Sequence, residues 1–220
     1  MNTLTNARGR RGRRLAFTLV EILVVIAIIG LLTAILVPSL SSARRSARRT
    51  ACSSNLHQLG VAIRAYLNDS KDILPYASEL PSFPPTPNPF GNNNSPFAEP
   101  NPPIFLADLM APYVKNETKV FQCPSDLPGN PPREVPYVNQ SYFETEKSSY
   151  QINRRLRGRN ATEARNQLVS MLAQMDIQRA ISESQLWFLK DYAGFHGKPG
   201  TDGAFRYLYV DGHVTGFEGF

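Results

Sequence analysis

One carboxylate in this chain stands where a carboxylate is expensive. Glu21 lies in the run 17–37, where only Thr18, Glu21, Gly30 and Thr33 are not large aliphatics, alanine or phenylalanine. A charge costs about 2.5–3.5 kcal/mol at the centre of a bilayer and less toward the interface. Glu21 is therefore the first candidate for a functional residue; the plain alternative is a side chain that snorkels to the headgroups. Two cysteines, Cys52 and Cys123, come next. Then His196 and His213, with Asp202 and Asp211, flank a C-terminal Asp211-Gly212 pair. That set suits a metal or catalytic cluster, although a turn aspartate capping its own backbone is the commoner arrangement. Cys52 and His57 lack the spacing of a zinc site, and no second pair completes one. There is no G-x-S-x-G, no nucleotide loop and no paired-carboxylate motif, and RRLRGRN (154–160) lacks the glycines of a phosphate loop.

The element that must position Glu21 is a helix. At about 1.5 Å per residue, a helix over 17–37 is about 32 Å long, enough to cross a hydrocarbon core of roughly 30 Å. The charge around it is lopsided. The formal net charge is +6, but Arg8, Arg10, Arg11, Arg13 and Arg14 stand in an opening stretch that contains no acid. Setting those aside leaves the remaining Lys and Arg nearly balanced by the 18 acidic residues. The basic excess is an N-terminal tag, not a nucleic-acid face, and nucleic acid is not expected as a partner. Positive residues stay cytoplasmic, which places the N-terminus inside, although Arg44, Arg45, Arg48 and Arg49 follow the span closely. A basic segment before an apolar run is also the layout of a secretory signal. VPSLSSA offers small residues for ordinary cleavage after the run; the other option is a cut before it, between Ala16 and Phe17.

RRLAFTLVEILVVIAIIGLLTAILVP resembles the N-terminus of type IV prepilins and of the pseudopilins of type II secretion. Phe17, Thr18, Leu19, Glu21 and Pro38 match that family in identity and spacing; Ala16 stands where the family usually has Gly. The resemblance implies a basic leader, residues 1–16, removed by a prepilin peptidase on the cytoplasmic side, and methylation of the new Phe17 amine. It implies extraction from the inner membrane into a helical filament by an assembly platform. There Glu21 would pair with the Phe17 amine of a neighbouring subunit, each charge offsetting the other in an apolar core. Asn160-Ala161-Thr162, a formal glycosylation sequon, is discounted behind a bacterial-looking leader.

The pattern does not stop at the span. Pro38 would kink or loosen the helix. Leu40, Ala43, Ala47, Ala51, Cys52, Leu56, Leu59, Ile63 and Leu67 then recur at three- and four-residue steps. The reading is one helix from about 17 to 68, apolar all round below and amphipathic above, ended by Asn68-Asp69-Ser70 and Pro75. Residues 69–103 hold more than half of the 18 prolines and read as an extended surface loop whose Phe83, Phe90 and Phe97 dock on the head. In the remainder, 104–114 reads as a short helix halted near Pro112, 119–124 as a short strand, and 147–153 as a strand. Residues 167–176 fit a strand or a helix, and 181–192 lean helix. Phe205, Tyr207 and Tyr209 alternate before Asp211-Gly212, which predicts antiparallel strands at about 204–210 and 213–218 joined by a tight two-residue turn.

Several short pieces resemble a bacterial subfamily of prepilin-like proteins named for a C-terminal His followed by Asp-Gly. They are Cys52 with Asn55-Leu56 and Gly60, the run Phe121–Asp126, Ser149-Tyr150 with Asn153, and His196 before Tyr209–Val214. The interval from His196 to Asp211 is longer than the subfamily's name prescribes. An exported head would sit in an oxidising compartment, where two cysteines point to a Cys52–Cys123 bridge; two buried free thiols are the alternative. The bridge would close about 70 residues, worth about 4 kcal/mol in the chain-entropy model. Major pseudopilins bind calcium in a C-terminal loop, which makes Asp202 and Asp211 weak calcium candidates here; otherwise no cofactor or metal is expected.

The expected fold is α+β and pilin-like: a long N-terminal helix, transmembrane in its lower half, packed above on a C-terminal antiparallel sheet in a periplasmic head. Residues 17–37 form the assembly helix, 38–68 its amphipathic continuation, 69–103 the loop and 104–220 the head. The expected role is structural, a pseudopilin-like subunit with other pilin-like subunits as partners and no enzymatic activity. The rivals are a minor pilin that captures a polymer or DNA through its Pro/Asn-rich loop or aromatic C-terminal surface, and a membrane-tethered hydrolase using His196 or His213.

Overall fold

The structure is a computed structural model. It describes residues 18–79, 102–130, 133, 137–160, 162–164, 166, 170, 183–198, 201 and 203–216. The leader with Ala16 and Phe17, most of the Pro/Asn-rich loop, all of the segment 167–176 but Ser170, and Asp202 lie outside these residues. The chain divides into two compact units, Met1–Arg44 and Arg45–Phe220.

Helix α1 runs over Leu19–Asp69 with Pro38 inside it, as its apolar and amphipathic patterns require. In the first unit its apolar side chains are all exposed, from Leu19 at 79% to Val24 at 48%. A helix that is apolar on every side needs lipid or other subunits around it. This one is long and apolar enough to cross a membrane.

In the second unit α1 is amphipathic. Cys52, Leu56, Leu59, Gly60, Ala62 and Ile63 form its buried face, at the spacing of one helical stripe. The helix ends where Lys71 and Asp72 take positive φ. Short helices α2 (Leu106–Met110) and α3 (Tyr142–Glu146) follow. A four-stranded sheet comes last in chain order, β1 (Tyr150–Ile152), β2 (Trp187–Asp191), β3 (Arg206–Tyr209) and β4 (Val214–Gly216), each strand antiparallel to its neighbour. Leu56 and Leu59 of α1 share one core with Phe121, Tyr150, Phe188 and Leu208. A Cβ on Gly60 would meet Leu208 Cδ1 at 2.9 Å, so any larger residue there has to push the Leu208 side chain aside.

Three expectations change. Residues 119–124 are not a strand. Thr118–Phe121 is a 3-10 turn that buries the adjacent Val120 and Phe121 together, which an alternating strand cannot do. The described part of 181–192 is not an α-helix: a 3-10 turn at Glu183–Gln185 leads into β2, which is flanked by β1 and β3 and carries a bulge between Trp187 and Leu189. Tertiary pairing there overrides a sequence with no clear period. The C-terminal hairpin is real, but its turn is longer than two residues. Tyr209 N donates to the His213 carbonyl and Gly212 N to the Tyr209 carbonyl, and Gly212 alone takes positive φ, +91°. This is a type I turn closed by a glycine bulge, with Val210, Asp211 and Gly212 as the loop.

Candidate functional site

Glu21 is held by its own helix. Its Oε2 accepts from Thr18 N and from Thr18 Oγ1, both at 2.8 Å, and Glu21 N donates to Thr18 Oγ1 at 3.3 Å. Thr-x-x-Glu is a capping box, in which each side chain satisfies a donor at the helix start. The carboxylate also sits at the positive end of the helix dipole. The pattern stands in the sequence, where the apolar setting drew attention to the charge alone.

The second site is the joint between α1 and the head. Cys52 and Cys123 are bonded across a sequence separation of 71, and both are fully buried. The joint is built from the pieces that the sequence scatters. Asn55 Nδ2 donates to the Gln122 carbonyl at 2.8 Å, one turn of α1 beyond the disulfide. Tyr150 Oη donates to the Cys52 carbonyl at 3.4 Å. Cys123 N donates to Ser149 Oγ at 2.9 Å, and Ser149 Oγ donates to Asp126 Oδ2 at 2.7 Å. Asp126 also accepts from Tyr142 N and Phe143 N, at 3.0 and 2.8 Å, and so binds the start of α3, whose own cap is the box Ser141–Glu144. Burial pushes the Asp126 carboxyl up, against the hydrogen bonds from Ser149 and the α3 backbone. Asn153 Nδ2 donates to the Trp187 carbonyl at 2.9 Å and fixes the β1–β2 edge.

The C-terminal motif completes this joint. Its two histidines do not form one cluster, because their partners differ. His196 Nε2 lies 3.6 Å from Cys123 Sγ and 3.5 Å from Asp191 Oδ2, with both side chains of the His–Asp pair buried. Burial, reinforced by Arg206 and Arg49, lowers the His196 pKa to about 4. Burial likewise pushes Asp191 well above the usual carboxylate range. Burial thus favours the neutral imidazole, so the contact is not a histidinium–carboxylate ion pair. His213 instead stacks on Tyr209, ring centroids 4.2 Å apart, and its Nδ1 lies 2.6 Å from Asp211 Oδ1. Asp211 Oδ1 also accepts from His213 N, so this calcium candidate is engaged in its own turn. Two arginines of α1 read the backbone of the motif. Arg49 Nη2 donates to the His196 carbonyl at 3.1 Å, and Arg64 Nη2 donates to the Asp211 carbonyl.

Beyond the joint, the outer sheet carries an aromatic row. Trp187 and Phe205 lie against Tyr207, which continues to Tyr209, and Lys190 Nζ stands over the rings of Trp187 and Phe205 at 5.3 and 5.4 Å. Desolvation lowers the Lys190 pKa.

Two family profiles match the chain. One, described as a prokaryotic N-terminal methylation motif, matches residues 11–37. The other, described as a protein of unknown function (DUF1559), matches residues 41–173, more than half of the chain. No curated protein and no solved structure gives a match. The matched stretches take in Glu21 and its cap, and most of the joint. An apolar N-terminal helix, a methylation motif and a head closed by an antiparallel sheet make a pilin-like architecture, consistent with inner-membrane anchoring.

Proposed function

Since this chain belongs to the family described as a protein of unknown function, DUF1559, and opens with a prokaryotic N-terminal methylation motif, we propose that it is a pseudopilin-like structural subunit of a type II secretion or type IV pilus-like filament. A prepilin peptidase cuts between Ala16 and Phe17 and methylates the Phe17 amine. The apolar part of α1 then leaves the inner membrane for a filament of sibling helices, drawn by the assembly platform. The N-terminus faces the cytoplasm and the head the periplasm.

One observation carries this reading: Glu21 keeps a carboxylate in an apolar helix, two residues from the helix start. The capping box satisfies Glu21 within a single chain and leaves its formal charge uncompensated. A methylated Phe17 amine from a neighbour compensates that charge when both enter an apolar core. The polar joint around Cys52–Cys123 supports a mechanical role, since it fixes the head to the helix that is drawn. The buried setting of His196 against a disulfide speaks against its use as a hydrolytic base.

Two experiments test the proposal. Intact-mass analysis of membrane-extracted protein from a host with an active peptidase should give a chain starting at Phe17 with one added methyl group. A chain starting at Met1 refutes processing. Glu21→Gln separates the two roles of the carboxylate, because glutamine retains a capping box but carries no charge. Insertion and cleavage should persist in Glu21→Gln while filament incorporation is lost. Normal incorporation of this variant overturns the charge-pairing role.

A further inference from the structure

Cys52, Cys123 and His196 place their ligand atoms within 4.8 Å of one another inside the head. Two cysteine sulfurs and an imidazole nitrogen are three of the four donors of a tetrahedral zinc site. A metal takes the neutral imidazole through a ring nitrogen, and His196 Nε2 lies 3.6 Å from Cys123 Sγ. A buried carboxylate stands behind the imidazole, outside that cluster of three. Asp191 is fully buried, its Oδ2 lies 3.5 Å from His196 Nε2, and its Oδ1 has no hydrogen-bond partner. The positive charges of Arg49 and Arg206 act on the same pocket, and nearby positive charge favours thiolate over thiol.

We propose that, once the Cys52–Cys123 bond is reduced, Cys52, Cys123 and His196 bind a thiophilic divalent cation of the zinc class, with the Asp191 carboxylate as fourth donor after a shift of its side chain. The metal then replaces the disulfide as the tie between α1 and the segment carrying Cys123. An external dithiol opens the bond by exchange: it becomes a disulfide itself, and two electrons and two protons pass to the protein sulfurs. The cation displaces both thiol protons to water as two sulfur–metal bonds form. With Zn–S distances of about 2.3 Å, tetrahedral geometry sets the two sulfurs about 3.8 Å apart. The cysteine Cα atoms are 4.9 Å apart, so side-chain rotation alone can open that gap.

The test uses the full chain in detergent, reduced with a phosphine that is converted to its oxide, and Co²⁺ as the probe. The reduced protein should take up one Co²⁺ per chain, with thiolate-to-cobalt charge-transfer bands and the ligand-field bands of four-coordination, and Zn²⁺ should displace it. The oxidised protein should take up none. Zn²⁺ should restore the melting temperature lost on reduction, because a ligand bound only to the folded state stabilises it. His196→Gln should weaken binding about tenfold or more and alter the ligand-field bands. Cys52→Ala, which keeps the Cys123 thiolate, should lose about half of the charge-transfer intensity. Equal cobalt uptake by oxidised and reduced protein, unchanged bands in either variant, or no thermal shift with Zn²⁺ would overturn the proposal.

Discussion

Replacing both cysteines by alanine tests the joint most directly. Cys52–Cys123 closes a loop with a sequence separation of 71. The chain-entropy relation makes that closure worth about 4 kcal/mol, all of it through restriction of the unfolded chain. Removing two fully buried sulfurs adds a small cavity, on the order of 1 kcal/mol. Alanine is preferred to serine because it leaves no hydroxyl without a partner in an apolar place. The double variant should therefore lose about 4–5 kcal/mol. At about 2–4 °C per kcal/mol for a domain of this size, the head should melt about 10–15 °C lower. The assay is calorimetry or circular dichroism on the detergent-solubilised full chain, with and without reductant. Wild type should fall to the level of the variant when reduced, and the variant should not respond to reductant. The urea m-value should rise in the variant, because the unlinked unfolded chain exposes more surface. A drop below about 3 °C, or an unchanged m-value, refutes the claim that this bond chiefly restrains the unfolded state.

Other outcomes follow from the same contacts. Asp126→Ala strips the acceptor from Tyr142 N, Phe143 N and Ser149 Oγ; denaturant titration should show a loss of about 3–5 kcal/mol. Gly212→Ala places a Cβ at φ +91° and 3.3 Å from the Arg64 guanidinium, and should cost about 1–2 kcal/mol by the same titration. His196 sits near 4 when folded against 6.5 otherwise, so its contribution is complete above pH 6.5 and is lost as pH falls toward 4, by about 3 kcal/mol. The buried Asp126 and Asp191 slope the opposite way in both proteins, so the measure is the difference between wild type and His196→Gln across pH 4–6.5; parallel curves would remove His196 as its source.

The parts of this fold that a single sequence exposes are those with a local period. The helix 19–69 was legible because its apolar face repeats every three to four residues, and the hairpin because Phe205, Tyr207 and Tyr209 alternate before Asp211-Gly212. The parts that were missed depend on distant partners. Nothing near 187–191 says strand; its hydrogen bonds come from β1 and β3. Val120 and Phe121 look like half a strand until both are seen to enter one core. The joint was visible only as short motifs, because Asn55 meets Gln122, Tyr150 meets Cys52 and Arg49 meets His196 across long stretches of chain. A buried polar group needs a partner, but its own sequence does not say where that partner is.

These contacts share a direction that bears on function. An apolar contact can slide by a residue with little loss, because a methyl group accepts many neighbours. A disulfide, a side chain bonded to one carbonyl, or a glycine under one leucine cannot. Along the upper part of α1 such contacts recur at Arg49, Cys52, Asn55, Gly60 and Arg64, on successive turns of a single helix. Stability alone would be served by more leucines. Fixed register over four turns is what an element needs if it is pulled from one end and must bring its head with it. Reducing Cys52–Cys123 therefore should not release the helix by itself. Removing Asn55 and Arg49 as well should let the head slip under load, at a force well below that needed to unfold β1–β4, as measured by pulling single molecules from the N-terminus.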